Sequence, residues 1–337
     1  MAQPNRCHES ARMKPSPFIL TLMMILGICG AARAQMQTPP YPQSLSEAAR
    51  HGLAENAARK PAHTLAEQRL AIDAIQQDIG ARQLARYHVT VKDDTIAGVP
   101  VRIFTPAEPL SDGTILLNFH GGGFLLDSGS RTENIPLAAL TRRRVVTVLY
   151  RMAPEHPFPA ALDDAFAVYR ELLKTHRPQN IAVFGTSAGA ILSAELVEKL
   201  RQNHVAPPAA LGFFSGTGDF ANLGDSATLL VGSAASAQLS PYTAGHNPSD
   251  PALSPIYGDL SGWPPTLCLS STRDVLLSAT ATFCRKLDEA GSPAKLVVFD
   301  ALPHAFWSYI EAPESDVAFA TMTRFLDAAL AGSGRRF

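Results

Sequence analysis

Ser187 is the centre of Gly185-Thr186-Ser187-Ala188-Gly189, with the apolar run Ile181 to Phe184 before it and the helix-forming stretch Ala188 to Leu200 after it. A strand, a tight turn and a helix in that order push a serine hydroxyl into the open at the helix N-terminus, and the small flanking residues permit the sharp turn. Without that context the five-residue pattern is weak, since the same serine could merely cap a helix. A serine hydroxyl attacks at neutral pH only if a base takes its proton, so a histidine is required. In chain order the acid and then the histidine should follow the serine. His304, in FDALPHAFW, lies just past the last predicted strand. Its rivals are His204, which reads as a solvated helix end, and His246, in AGHNPSD, which precedes the strand that should carry the acid. That acid should leave the strand before the one preceding His304, where a buried carboxylate can hold the imidazole in one tautomer. Asp274, in TLCLSSTRDVLLS, meets the condition. Asp288 falls on a helix face, Asp300 ends the strand of His304 itself, and Asp163 and Asp164 precede the serine.

A serine that attacks a carbonyl makes an oxyanion, which needs fixed N–H donors where the charge develops. The backbone N–H of Ala188 is one. The others should come from the loop after the third strand, where LLNFHGGGFLLDSG places His120-Gly121-Gly122-Gly123-Phe124. Glycine lets N–H groups turn inward and lets a substrate approach without meeting a Cβ. The run lacks the lysine and spacing of a phosphate cradle. His120 is read as orienting this loop by hydrogen bonding, and Trp307 as either walling the pocket or packing in the core.

These residues need a frame. Apolar runs at 87–91, 101–106, 114–120, 145–150, 181–185, 210–216, 266–271 and 295–300 are predicted strands. The later ones are continuous rather than alternating, as in strands covered on both faces. Helices are predicted over 160–174, 188–203, 278–290 and 314–331, which gives a mostly parallel sheet between helices. Thr64-Leu65-Ala66-Glu67 matches a capping box, and Leu65, Ile72, Ile75 and Ile79 continue an amphipathic helix up to Gly80. Residues 217–260, rich in Gly, Ser, Ala and Pro, interrupt the alternation as an insertion. In YRMAPEHPFPAALDDA (150–165) the prolines and Glu155 are read as shaping a loop rather than touching substrate.

With 337 residues, 46% of them hydrophobic and 18% charged, the chain suffices for one large α/β domain with a lid. A formal charge of -1 offers no basic surface for phosphates, so nucleic acid is not expected as a partner. From Met13, a lysine, an apolar stretch from Phe18 to Cys29, and Ala32-Arg33-Ala34 read as a signal peptide cut after Ala34. The alternative is an uncleaved anchor, for which the stretch is short. Ile28 argues against Cys29 as a lipidation site. Cleavage leaves Cys268 and Cys284, which could pair or stay buried as free thiols. No cysteine or histidine spacing suggests a metal, and the chemistry requires no cofactor.

HGGGF, YRMAPEHPFPAALDDA, GTSAG, RDVLLS and LPHAFW, in this order over residues 87–331, together resemble the hormone-sensitive-lipase-like family (family IV) of α/β-hydrolase carboxylesterases, on its GTSAG branch. The resemblance implies an eight-stranded α/β-hydrolase sheet and a triad of Ser187, Asp274 and His304. It implies oxyanion donors at Gly122, Gly123 and Ala188, supported by His120 and Gly121. It also implies a helical cap drawn from residues 45–85 and 217–260. Asp274-Val275-Leu276 departs from the family's frequent Asp-Pro-Leu, and Ser278 stands where a further carboxylate is common.

The expected organisation is a signal peptide (1–34), a leader with cap helices (35–86) and a catalytic domain (87–337) carrying the insertion. The expected activity is hydrolysis of short- to medium-chain esters through an acyl-enzyme. A deacetylase, an amidase, a lactone hydrolase or a non-catalytic receptor of the same fold are the alternatives. The expected partner is a small-molecule ester, without a lasting membrane span. The protein is expected to be secreted or periplasmic, as a monomer or homodimer.

Overall fold

A computed structural model of the chain describes residues 40–332 except Ser233, so the leader and its cleavage point lie outside the described residues. Eight strands, β1 (Val89–Ile96), β2 (Val99–Pro106), β3 (Ile115–Phe119), β4 (Arg144–Val148), β5 (Ile181–Thr186), β6 (Ala210–Phe214), β7 (Thr266–Arg273) and β8 (Ala294–Pro303), form one sheet in the order β1-β2-β4-β3-β5-β6-β7-β8. β1 with β2 and β2 with β4 are antiparallel, and every pairing from β4 to β8 is parallel. The described helices are α1 (Glu47–Ala57), α2 (Leu65–Tyr87), α3 (Asn134–Thr141), α4 (Ala160–Leu172), α5 (Ala188–Gln202), α6 (Asp225–Val231), α7 (Ala234–Thr243), α8 (Leu277–Glu289) and α9 (Pro313–Leu330).

Side-chain alternation along the strands builds two cores. Ile115, Leu117 and Phe119 of β3 join Val183 and Phe213 beneath α4, α5 and α8. Leu116, with Phe184 and Phe214, points the other way, beneath α1, α3 and α9. All residues of β3, β5 and β6 are buried, which is why these strands read as unbroken apolar runs. The parallel arrangement brings the C-terminal ends of β3, β5, β7 and β8 to one edge of the sheet, the place where ligands bind in open α/β folds.

Three local differences from the sequence reading have physical causes. The capping box is present at Thr64 and Glu67, but α2 runs past Gly80 to Tyr87 and moves the start of β1 to Val89. Its buried stripe continues through polar Gln76 and Gln83, which an apolar-periodicity count does not register. His88, in the left-handed region at φ 53°, ends it by donating its N–H to the Leu84 carbonyl. Residues 217–260 contain α6 and α7, short helices that Gly and Pro obscured, Pro241 lying inside α7. α6 is ordered by tertiary packing of Leu223 and Ala227 on Leu276. Lastly, α3 follows the glycine loop unannounced because five successive residues, Asn134 to Ala138, are buried together with Thr141, which masks a helical period.

Candidate active site

Ser187 joins β5 to α5 with φ 58° and ψ −121°, a backbone region that residues other than glycine rarely occupy. The strained turn is held by the Ser187 N–H, which donates to the Phe214 carbonyl at 2.8 Å, and by the Ile191 N–H, which donates to the Ser187 carbonyl at 3.1 Å. Gly189 is required for close approach: a Cβ there would lie 1.8 Å from the carbonyl oxygen of Phe119 at the end of β3. The sequence pattern therefore encodes the contact that brings the nucleophile turn against the glycine loop.

The His304 ring, on the loop after β8, places Nε2 2.9 Å from Ser187 Oγ and Nδ1 2.6 Å from Asp274 Oδ1. The buried carboxylate fixes the tautomer: Nδ1–H donates to Asp274, leaving Nε2 to accept from the serine. Asp274 is fully buried and receives further hydrogen bonds from Ser270 Oγ at 2.7 Å, the Leu276 N–H at 2.8 Å and the Ser215 hydroxyl. Burial works to raise its pKa, but the charge and hydrogen bond of His304, with the Ser215 and Leu276 donors, hold it below the ordinary carboxylate value. Ser215 and Ser270 were not singled out from the sequence; Ser215 directly follows β6, and Ser270 lies within β7, four residues before the acid.

The rejected candidates lie elsewhere. His246 meets the Phe158 ring edge-on, and His204 lines a separate cavity of about 180 Å³. Asp163 and Asp164 pair with Lys199 and Arg151, and Asp300 accepts from Thr272. Asp288 is exposed on α8. Cys268 and Cys284 are buried free thiols.

The glycine loop is closed by two hydrogen bonds between the backbones of Gly121 and Ser128, at 2.8 and 3.1 Å. It lies against the nucleophile, since a Cβ on Gly121 would sit 3.5 Å from Ser187 Cβ. Gly122 has φ 109°, and a Cβ there would strike the Leu126 carbonyl at 1.9 Å. Among the described residues, no backbone or side-chain acceptor takes the N–H of Gly122, Gly123 or Ala188. Phe124, at φ 63°, turns the chain and stacks on Tyr242 of α7 with ring centroids 3.5 Å apart. His120 is buried, places Nδ1 2.8 Å from the Gly121 carbonyl, and stacks on Tyr150, whose hydroxyl donates to the His120 carbonyl at 2.7 Å.

α2 braces this loop through polar side chains outside the apolar set Leu65, Ile72, Ile75 and Ile79. Gln76 Oε1 accepts from the N–H groups of Gly129 and Arg131, and its Nε2 donates to the Asp127 carbonyl. Arg69 donates to the carbonyls of Leu125 and Ala153 and makes a two-pronged pair with Glu155 at 2.7 and 2.8 Å. Glu155 thus ties the proline-rich loop to α2, in line with its structural reading. Trp307 packs in the core, its indole N–H donating to Thr186 Oγ1 at 3.3 Å.

Ser187, His304 and the three glycines line a cavity of about 360 Å³. Leu223, Val231 and Leu239 from residues 217–260, with Val275 and Leu276, supply an apolar wall. The Tyr242 hydroxyl donates to buried Glu195 of α5 at 2.6 Å, fastening α7 to the catalytic core. The cavity therefore joins an apolar wall to a serine hydroxyl hydrogen-bonded to an imidazole and to glycine N–H groups without an acceptor among the described residues, an arrangement that can carry acyl transfer.

Comparison with known proteins bears on the fold and the activity. A family model described as the α/β hydrolase fold matches residues 116–308, a span that includes Ser187, Asp274 and His304. An esterase of Acinetobacter venetianus is 31% identical over 223 residues, 63% of this chain and 74% of its own. An acetyl-hydrolase of Streptomyces hygroscopicus is 33% identical over 229 residues, covering 64% and 76%. The crystal structure of an esterase from the bacterial hormone-sensitive lipase family superposes with a TM-score of 0.77 at 28% identity, over 86% of this chain and all of that one (100%). Another solved esterase gives a TM-score of 0.76 at 34% identity, over 88% and 97%. The chain belongs to the α/β-hydrolase fold family and is a carboxylic ester hydrolase of its hormone-sensitive-lipase-like branch.

Proposed function

We propose that Ser187 is the nucleophile of this esterase, His304 its base and Asp274 the acid that orients and charge-stabilises the imidazole. The chain of hydrogen bonds Ser187–His304–Asp274, at 2.9 and 2.6 Å, carries the reading. Ser187 Oγ attacks the ester carbonyl as His304 Nε2 takes its proton. The oxyanion is received by the N–H groups of Gly122, Gly123 and Ala188; that none of them has an acceptor among the described residues supports this role. The positive end of the α5 dipole adds to the same field. His304 then protonates the leaving alcohol, and water repeats the cycle on the acyl group. The 360 Å³ cavity with its apolar wall fits short- to medium-chain esters. The leader read at Met13–Ala34 supports an exported enzyme.

Two measurements test this. A fluorophosphonate should inactivate the protein stoichiometrically, with the mass increase on the peptide containing Ser187. Labelling of any other residue would refute the assignment. A panel of C2 to C16 p-nitrophenyl esters, amides, lactones and acetylated sugars should show its highest kcat/KM among the shorter esters. Deacetylation is the reading that the Streptomyces acetyl-hydrolase favours next, and acetylated substrates in the panel address it.

The glycine loop makes a further prediction. Gly122→Ala puts a Cβ into the Leu126 carbonyl and must displace the loop. Loss of one or more oxyanion donors should lower kcat by roughly 10²–10³-fold or more. KM for a short ester should change far less, and circular dichroism should stay near wild type. An unchanged kcat would place the donors elsewhere.

A further inference from the structure

Glu133 precedes α3 and lines the same cavity as Ser187 and His304, but the mechanism above does not use it. It is only 2% exposed, its side chain makes no capping hydrogen bond at the N-cap position of α3, and neither carboxyl oxygen has a hydrogen-bond partner among the described residues. Thr186 and Trp307 are close enough to lower its pKa, yet neither makes a hydrogen bond of normal geometry with it. Burial, with a smaller contribution from the charge of Asp127, outweighs them and pushes the carboxyl up to about 8, so it is largely protonated at neutral pH. Gly129 leaves room for it: a Cβ there would lie 3.0 Å from Glu133 Cδ and Oε1. An unsatisfied buried carboxyl is costly to the fold. Such a group in the wall of a substrate cavity indicates a ligand that completes its hydrogen bonding.

We propose that Glu133 is a specificity-determining residue whose carboxyl pairs with a hydrogen-bond donor carried by the substrate, a hydroxyl or an amine, so that hydroxy- or amino-substituted esters are preferred over plain alkyl esters of the same length. Sites built to hydrogen-bond a substrate group reject the analogue lacking it much more strongly than apolar pockets reject a methylene. The inference rests on the esterase reading above.

The experiment compares kcat/KM at pH 7 for p-nitrophenyl butanoate, 3-hydroxybutanoate and 3-aminobutanoate, and for propyl, 2-hydroxyethyl and 2-aminoethyl butanoate. Wild type, Glu133→Gln and Glu133→Leu are measured, each with a thermal melt. In wild type at least one substituted ester should exceed its alkyl counterpart by roughly tenfold or more. Glu133→Leu should abolish or reverse that ratio while melting at the same or a higher temperature. Glu133→Gln, isosteric and still able to hydrogen-bond, should keep a preference for hydroxyl but lose one for amine. The same ratio in wild type and Glu133→Leu, or in wild type and both variants, overturns the proposal. So does a lower melting temperature with unchanged ratios, which would make Glu133 structural. If Glu133→Leu does not fold, the proposal is likewise refuted unless Glu133→Gln shifts the ratios. Turnover of the alkyl esters with no preference sinks the Glu133 inference alone, whereas alkyl turnover that survives fluorophosphonate sinks the esterase mechanism beneath it.

Discussion

Ser187→Ala is expected to reduce kcat on a short p-nitrophenyl ester by roughly 10⁴–10⁶-fold while leaving the melting temperature near wild type. The reasoning separates chemistry from fold. The side-chain oxygen is the atom removed, and among the described residues it bonds only to His304 Nε2, which solvent can satisfy because the imidazole is 28% exposed. The contacts that hold the turn use the Ser187 backbone, namely its N–H on Phe214 and its carbonyl to Ile191, and alanine retains both. The residual rate should come from the unpaired N–H donors and substrate positioning. Steady-state kinetics with a thermal melt on the same preparation decides the matter. An alanine variant that hydrolyses as fast as wild type would show that the hydrogen-bonded triad is not the catalytic apparatus.

Asp274→Asn should cost about 10⁴-fold in kcat. Four donors converge on the carboxylate: His304 Nδ1–H, the Ser215 and Ser270 hydroxyls and the Leu276 N–H. An amide brings a donor of its own into this all-acceptor position; the fixed Leu276 N–H keeps the amide nitrogen out of the Oδ1 place, so it replaces Oδ2, where the Ser215 and Ser270 hydroxyls must turn to accept from it. His304 keeps Nε2 facing Ser187 but loses the negative charge that stabilises the imidazolium as it takes the serine proton. The change also removes a stabilising ionisation. The folded-state pKa of Asp274 lies below its ordinary value of 3.8, so its contribution is fully present above that value and is lost as pH falls through the lower folded value. The melting temperature of Asp274→Asn should therefore lie further below wild type at pH 7 than at pH 3. Equal displacement at both values would contradict the carboxylate assignment, and full activity in the asparagine variant would remove Asp274 from the triad.

Much of this site was legible because its chemistry is bound to local rules. Gly189 must lack a Cβ to meet Phe119, the turn at Ser187 must join a strand to a helix, and the acid and base must leave successive strands of a parallel sheet. Each rule leaves a mark within a few residues of the side chain it serves, so Ser187, Asp274 and His304 could be chosen over His246, Asp288 and Asp300 by context alone. The continuous apolar runs of β3, β5 and β6 marked the buried centre of the sheet for the same reason, since full burial on both faces dictates composition strand by strand.

What supports the triad could not be read that way. Gln76 and Arg69 look like the solvated face of a helix, yet they hold the backbone of a loop about fifty residues further along the chain. Tyr242 lies in a stretch whose composition suggested no helix, but it stacks on Phe124 and bonds Glu195. Glu133 is one glutamate among many until folding buries it in the wall of the cavity that Ser187 lines, with no hydrogen-bond partner for its carboxyl among the described residues. A polar side chain's part depends on which distant groups surround it, and this is settled by packing. A turn, a strand or an order of catalytic residues depends on local sterics and hydrophobic pattern, and these the chain carries in its letters.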